Sequence, residues 1–280
     1  MVYYKLMNLQ IEKSEKHFYL YCALFYNNNR TIDSNDVVSE VSTKVIEVLS
    51  AINFRKIDMP MHSYHYLMGL YNPDGYIDNG NTMKQPQEIT DYINELSNIS
   101  QLQDLFKQQE PELDQKLNRY EEKFEYITKH FNTYFDFEPK DKTFILTRNW
   151  DASGKCISTK EGAHILVGWR IKGLNAKQIL HEITHSFIST CTLPVYSDIE
   201  NILNTVPDYV KQSYANPKIL TEESFIRALV VYLDHLEGDT FEFSLNEDDL
   251  SMYLPSKFLE KMQKDNITVI SQEYINNFRV

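Results

Sequence analysis

The stretch HILVGWRIKGLNAKQILHEITHSF, His164 to Phe187, decides how the chain is read. Its first six residues form a short run rich in β-formers, the pattern of a buried strand. The last thirteen change period. Ile179, Ile183 and Phe187 recur every four residues, which predicts an apolar helical stripe. Asn175 suits an N-cap, with Gln178 at the third helical position as in a capping box. Leu174 and Ile179 occupy the positions of a hydrophobic staple, and Pro194 stops any continuation. A helix beginning at Asn175 therefore carries His181, Glu182 and His185 in its middle.

On a helix, side chains four apart are neighbours, so His181 and His185 can converge on one metal ion. Glu182 lies one position round from His181 and need not ligate. It is placed to act as a general base, taking a proton from an attacking water and passing it to a leaving group. The spacing HExxH thus follows from the chemistry of a metal-assisted hydrolysis.

A catalytic zinc site takes three protein ligands and keeps one position open. A metzincin extension needs glycine at position 188 and histidine at 191, where this chain has Ile188 and Cys191, so that class is excluded. Cys191 reads as a small thiol rather than a ligand. Asp198 and Glu200 are near enough in sequence to be considered. Better donors lie on the next helical segment, LTEESFIRALVVYLDHLEGD. Thr221 looks like an N-cap, which puts Glu222 and Glu223 in the first turn, where acidic residues also offset the helix dipole. This apolar helix must pack on a neighbour, and the HExxH helix is the obvious one. A glutamate from a second helix completing a His-His-Glu set is the gluzincin arrangement; spacing leaves Glu222 and Glu223 equivalent.

Together, ILHEITHSFI and EESFIRALVVYL resemble the zincin-like bacterial family labelled domain of unknown function 4932, whose members show HEFxHSF-like helices and a later E-x-x-x-R-A helix. The matching positions here are His181, Glu182, His185, Ser186 and Phe187, then Glu223, Arg227 and Ala228. Ile183 stands where the family has Phe, and Ile188-Ser189-Thr190 replaces a Val-Asn-Pro-like continuation. The resemblance implies a zincin-like metallopeptidase core binding one zinc ion through His181, His185 and Glu223, with Glu182 as the catalytic base and a peptide or protein as substrate.

The rest of the chain sets the frame. Its 280 residues are 42% hydrophobic and 24% charged, with 19 Tyr and 15 Phe, a globular composition with an aromatic core. A net charge of −12 argues against partners that demand positive charge, nucleic acid and anionic membrane alike. Three well-separated cysteines, Cys22, Cys156 and Cys191, do not make a disulfide framework. FYLYCALFY, Phe18 to Tyr26, is too short to span a bilayer and has no cleavage site after it, so a cytoplasmic location is expected.

Helical periodicity runs from Ser34 through Val37, Val41, Val45 and Leu49, over Pro86–Gln109 as one helix or two, and over Glu110–Tyr134. Asn72–Asn81 reads as a loop and RNWDASGKCISTKEGA as a polar connection between strands at Thr143–Thr147 and His164–Trp169. FEFSL, Phe241–Leu245, reads as a last strand. The expected fold is α+β and helix-rich, with a zincin-like core, a small sheet and the HExxH helix. Residues 1–138 form a mainly helical part and 139–280 a catalytic part, integrated in one domain. HILVGW offers an edge for an extended peptide, and His164 reads as an ordinary strand histidine more readily than as a cleft residue. His62 and His65 read as a solvated or hydrogen-bonded pair, and Tyr232 and His235 as packing or surface residues ahead of oxyanion donors. Two rival functions fit the same residues: a zinc-binding or interaction domain without turnover, and a hydrolase of non-peptide amides or esters.

Overall fold

The computed structural model describes residues 8–28, 37–78, 81–111, 127, 133–136, 143–148, 150, 154–160, 162–167, 176–188, 208, 217–237 and 253–279. The chain is α+β, rich in helix with small sheets. It divides into two compact units, one made of Asn8–Lys123 and Lys142–Asn175, the other of Met1–Met7, Phe124–Asp141 and Ala176–Val280. Most of the expected helix Glu110–Tyr134, and all of the expected strand at Phe241–Leu245, lie outside the described residues.

In the unit that begins at Asn8, helix α1 (Glu15–Asn27) starts where the Ser14 side chain accepts the backbone N–H of His17. The run from Phe18 to Tyr26 is buried on every side. Helices α2 (Val37–Ala51), α3 (Ser63–Tyr71) and α4 (Gln87–Ser97) pack around it, so no polar face is needed. Val41, Val45 and Leu49 bury one stripe of α2, and Ile89, Tyr92, Ile93 and Leu96 bury one of α4. Residues 100–111 form a further helical stretch, so Pro86–Gln109 is a pair of helices split near Asn98. Among the described residues no helix is long and apolar enough to cross a membrane.

The Asn72–Asn81 stretch is more ordered than a loop: β2 (Tyr76–Asp78) and β3 (Asn81–Met83) form an antiparallel hairpin. Gly75 precedes it with a φ of 120°, a conformation that side chains disfavour. Strand β4 (Phe135–Asp136) belongs to the other unit. The four-stranded sheet comprises β1 (Asn8–Glu12), β5 (Thr143–Arg148), β6 (Lys155–Ser158) and β7 (Gly162–Val167), in the order β1-β5-β7-β6. Strands β1, β5 and β7 run parallel, and β6 runs antiparallel to β7.

Two expectations change here. The polar connection contains a strand, β6, hidden because only Ile157 of its four side chains is fully buried. Strand β7, the HILVGW run, is interior rather than an edge: β5 and β6 occupy its two sides, so it has no ladder to offer a peptide. Its near-continuous burial is what an interior strand with both faces covered requires.

In the other unit, helix α5 (Ala176–Ile188) occupies the segment expected to be helical, with Ile179, Ile183 and Phe187 buried. The Asn175 cap lies outside the described residues. Helix α6 runs from Pro217 to Glu237, beginning before Thr221. Proline is favoured in a first turn because it has no N–H to leave unsatisfied. Thr221 is therefore a buried residue inside the helix and not its cap, and neither Glu222 nor Glu223 is in the first turn. Helix α7 (Tyr253–Asp265) packs along α6. A two-residue strand, β8 (Ile270–Ser271), pairs in parallel with β4 and leads into α8 (Gln272–Asn277). Phe225, Phe258 and Phe278 meet with ring centroids 4.9–6.2 Å apart, locking α6 to α7 and the chain beyond α8.

Gly162 tests the sheet register. It lies opposite Thr143, and a Cβ there would sit 1.7 Å from the Thr143 carbonyl oxygen. Gly162→Ala is expected to cost about 3 kcal/mol, the upper end for overpacking, because backbone rather than a side chain must move. Denaturant titration of the variant at wild-type stability would refute that register.

Candidate metal centre

Helices α5 and α6 pack against each other within one unit, and their polar residues meet at one point. His181 and His185, one turn apart on α5, direct their Nε2 atoms toward each other at 3.2 Å. Glu223 on α6 spans the pair: Oε2 lies 3.5 Å from His181 Nε2, and Oε1 lies 3.3 Å from His185 Nε2. The three residues form a group able to hold a metal ion.

The distances test that idea. Donors at 2.0–2.1 Å from a tetrahedral ion are separated by about 1.63 times that length, roughly 3.3–3.4 Å. The Nε2–Nε2 separation of 3.2 Å is close to this value, and each Nε2 has a different Glu223 oxygen at a similar distance, Oε1 at 3.3 Å from His185 and Oε2 at 3.5 Å from His181. Two imidazole nitrogens this close repel unless a proton or a cation lies between them. The donor set, two imidazoles and a carboxylate, suits a first-row divalent ion. All three side chains keep 18–20% of their surface accessible, so solvent can reach the group.

Glu222 and Glu223, equivalent by spacing, take different places. The Nδ1–H of His185 is positioned to donate to Glu222 Oε1 at 2.8 Å, on the ring edge away from the cluster. Arg227, one turn beyond Glu223, brings its Nε to 3.6 Å from Glu223 Oε2, so it makes the i,i+4 pair and faces the carboxylate at once. Burial pulls the His185 pKa down, but hydrogen bonds to Glu222 and Glu223 outweigh it and raise it to about 10. Burial likewise pushes Glu223 up, yet His181 and His185 hold its carboxyl well below the usual carboxylate range. The cluster favours positive charge at its centre.

Glu182 is buried, with 9% of its surface exposed, beside His181 on α5. Three hydroxyls on these helices are satisfied locally: Thr184 donates to Leu180 O, Ser186 to Ile183 O and Ser224 to Leu220 O. Ser186 is thus held by its own helix. Tyr232 donates to Ile267 O at 2.6 Å, which ties α6 to the segment after α7 in a packing role. Cys191, Asp198 and Glu200, and the His235 side chain, lie outside the described residues. His62 caps α3 by accepting the Tyr64 N–H, a helix-starting role that the His62–His65 spacing did not suggest.

His164, in the other unit, is the third residue of β7 and lines a cavity of about 450 Å³ with Tyr71, Asp74, Thr143 and Lys160. Its ring stacks on Tyr71 at 3.9 Å, and its Nδ1 stands 3.9 Å from Glu12, beyond hydrogen-bonding distance. It is both a strand residue and a cavity residue.

Burial lowers the His164 pKa to about 4. The unfolded chain then binds a proton near pH 6.5 that the folded chain refuses until about pH 4. Stability from this residue is complete above pH 6.5 and lost as the pH falls through that window. His164→Gln should flatten the acid limb of the stability profile between pH 6.5 and 4; an unchanged limb in thermal melts would show that His164 does not set it.

Removing one corner of the cluster should weaken a metal more than the fold. Glu223→Ala is expected to lower metal affinity at least tenfold with secondary structure retained, measured by chelator competition and circular dichroism. Undiminished affinity would assign the third donor elsewhere.

No family model, curated protein or solved structure matches the chain.

Proposed function

We propose that the protein is a zinc-dependent metallopeptidase of the gluzincin type. The observation that carries this reading is the convergence of His181 Nε2, His185 Nε2 and the Glu223 carboxylate at separations of 3.2–3.5 Å on two packed helices. The peptide substrate is what the resemblance of ILHEITHSFI and EESFIRALVVYL to a zincin-like family implies. Zincin-like describes the site-bearing unit in this reading, with α5 as its active-site helix.

His181, His185 and Glu223 would hold the ion, and zinc, when bound, supplies a Lewis acid for the scissile carbonyl and an acidified water. Glu182 follows His181 directly and is not needed as a ligand. Its place on α5 gives it the general-base role: it accepts the proton of the attacking water and returns it to the leaving amine. Burial of Glu182 excludes competing bulk water from that exchange. Arg227 and Glu222 hold the Glu223 carboxylate and the His185 ring, leaving fewer orientations to freeze on binding.

Glu182→Gln separates holding a metal from using it. The variant should keep one zinc per chain and lose peptide hydrolysis by about 10²-fold or more, the span of general acid–base catalysis. Elemental analysis together with cleavage of a peptide library reads both. Full activity in Glu182→Gln would sink the mechanism. Zinc retention by a wild-type protein that cleaves no peptide would leave a metal-binding protein or a hydrolase of other amides or esters.

A further inference from the structure

We infer that Glu222 is a positioning residue whose carboxylate fixes His185 in the tautomer that presents Nε2 to a metal ion. This rests on the reading of His181, His185 and Glu223 as ligands.

A neutral imidazole carries one proton, and the partner of one nitrogen decides which of the two it occupies. A carboxylate can only accept, so the contact between Glu222 Oε1 and His185 Nδ1 at 2.8 Å requires the proton on Nδ1. Binding a metal ion requires the ring to keep one proton only; with that proton held on Nδ1 by Glu222, the lone pair falls to Nε2, the atom that faces His181 Nε2 at 3.2 Å and Glu223 Oε1 at 3.3 Å.

Helix geometry explains how two adjacent glutamates divide the work. Consecutive residues on α6 diverge by about 100°. A ring inserted between them meets one carboxylate at each nitrogen edge, Glu222 at Nδ1 and Glu223 at Nε2. Exchanging the roles would fail, since the Glu222 contact is on the edge away from His181. An ordinary helix-dipole role is also removed. Pro217 opens α6, so Glu222 lies beyond the first turn, and its side chain is 18% exposed rather than solvated.

The experiment titrates zinc, and cobalt(II) as its coloured substitute, into wild type, Glu222→Ala and Glu222→Gln, with melting of each metal-free protein alongside. Glu222→Ala is expected to weaken zinc 10- to 100-fold at unchanged one-to-one stoichiometry, and to alter the cobalt visible bands. Glu222→Gln, which keeps an accepting oxygen, should recover most of the affinity. Wild-type affinity in Glu222→Ala overturns the role of Glu222 alone. So does a loss of metal-free melting temperature with zinc affinity intact, because Glu222 would then serve only the fold. A wild type that takes up no zinc overturns the ligand reading and this inference with it. Should Glu222→Ala fail to fold, nitrogen-15 NMR of zinc-loaded wild type reads the tautomer directly. A proton on His185 Nδ1 supports the assignment, and one on Nε2 overturns it.

Discussion

Four side chains that ordinarily seek water, His181, His185, Glu222 and Glu223, face one another where α5 packs on α6, each less than about one-fifth exposed. Bringing them together carries a desolvation cost that their pairing must offset. The surrounding structure removes the alternatives. Ile179, Ile183 and Phe187 bury the apolar stripe of α5, while Phe225 and Leu229 are buried on α6 with Phe258 and Phe278 at its side. With those contacts made, neither helix can rotate its polar residues outward without exposing a core face. The apolar packing therefore dictates the polar geometry, and the three donor separations near 3.3 Å are its product.

How much of this was legible in the sequence depends on range. α5 was legible because its signals are local: a four-residue apolar repeat and a blocking proline near its end. α6 was legible in kind but not in start. Thr221 has the chemistry of a cap, and only the weaker signal of Pro217 marks the true first turn. The sheet was half legible. β5 and β7 are apolar enough to be read alone, whereas β1 and β6 are short and are recruited by partners. Asn8 pairs with Thr143, far along the chain, and no local window contains that pairing. The hairpin β2–β3 escaped for a related reason: each strand has only three residues, too few to show a period of two.

The site itself divides in the same way. The HExxH spacing is a one-helix property, so His181, Glu182 and His185 could be named from periodicity. Glu222 and Glu223 are the same residue type in adjacent positions on a different helix. Nothing local distinguishes them, and the distinction appears only when the His185 ring is placed between them. A pattern can supply residue types for a site, but which nitrogen each carboxylate meets is a property of the packed pair.

The electrostatics of the pair follow from that placement. His185 lies in the last turn of α5, where unpaired carbonyls give the helix end a partial negative charge. Glu222 and Glu223 add two carboxylates on either side of the same ring. Arg227 opposes them from behind Glu223, at 3.6 Å from Oε2, so it restrains that carboxylate without occupying the space between the Nε2 atoms. The net field favours a cation where the two Nε2 atoms and the Glu223 carboxylate face one another. A proton can satisfy that field through His185, whose pKa the carboxylates raise against burial. A divalent ion held there would satisfy it through both imidazoles and the carboxylate at once, with Glu222 on the Nδ1 edge of His185. Ion and proton would then compete for the same Nε2, and the proposed role of Glu222 would confine that competition to this atom.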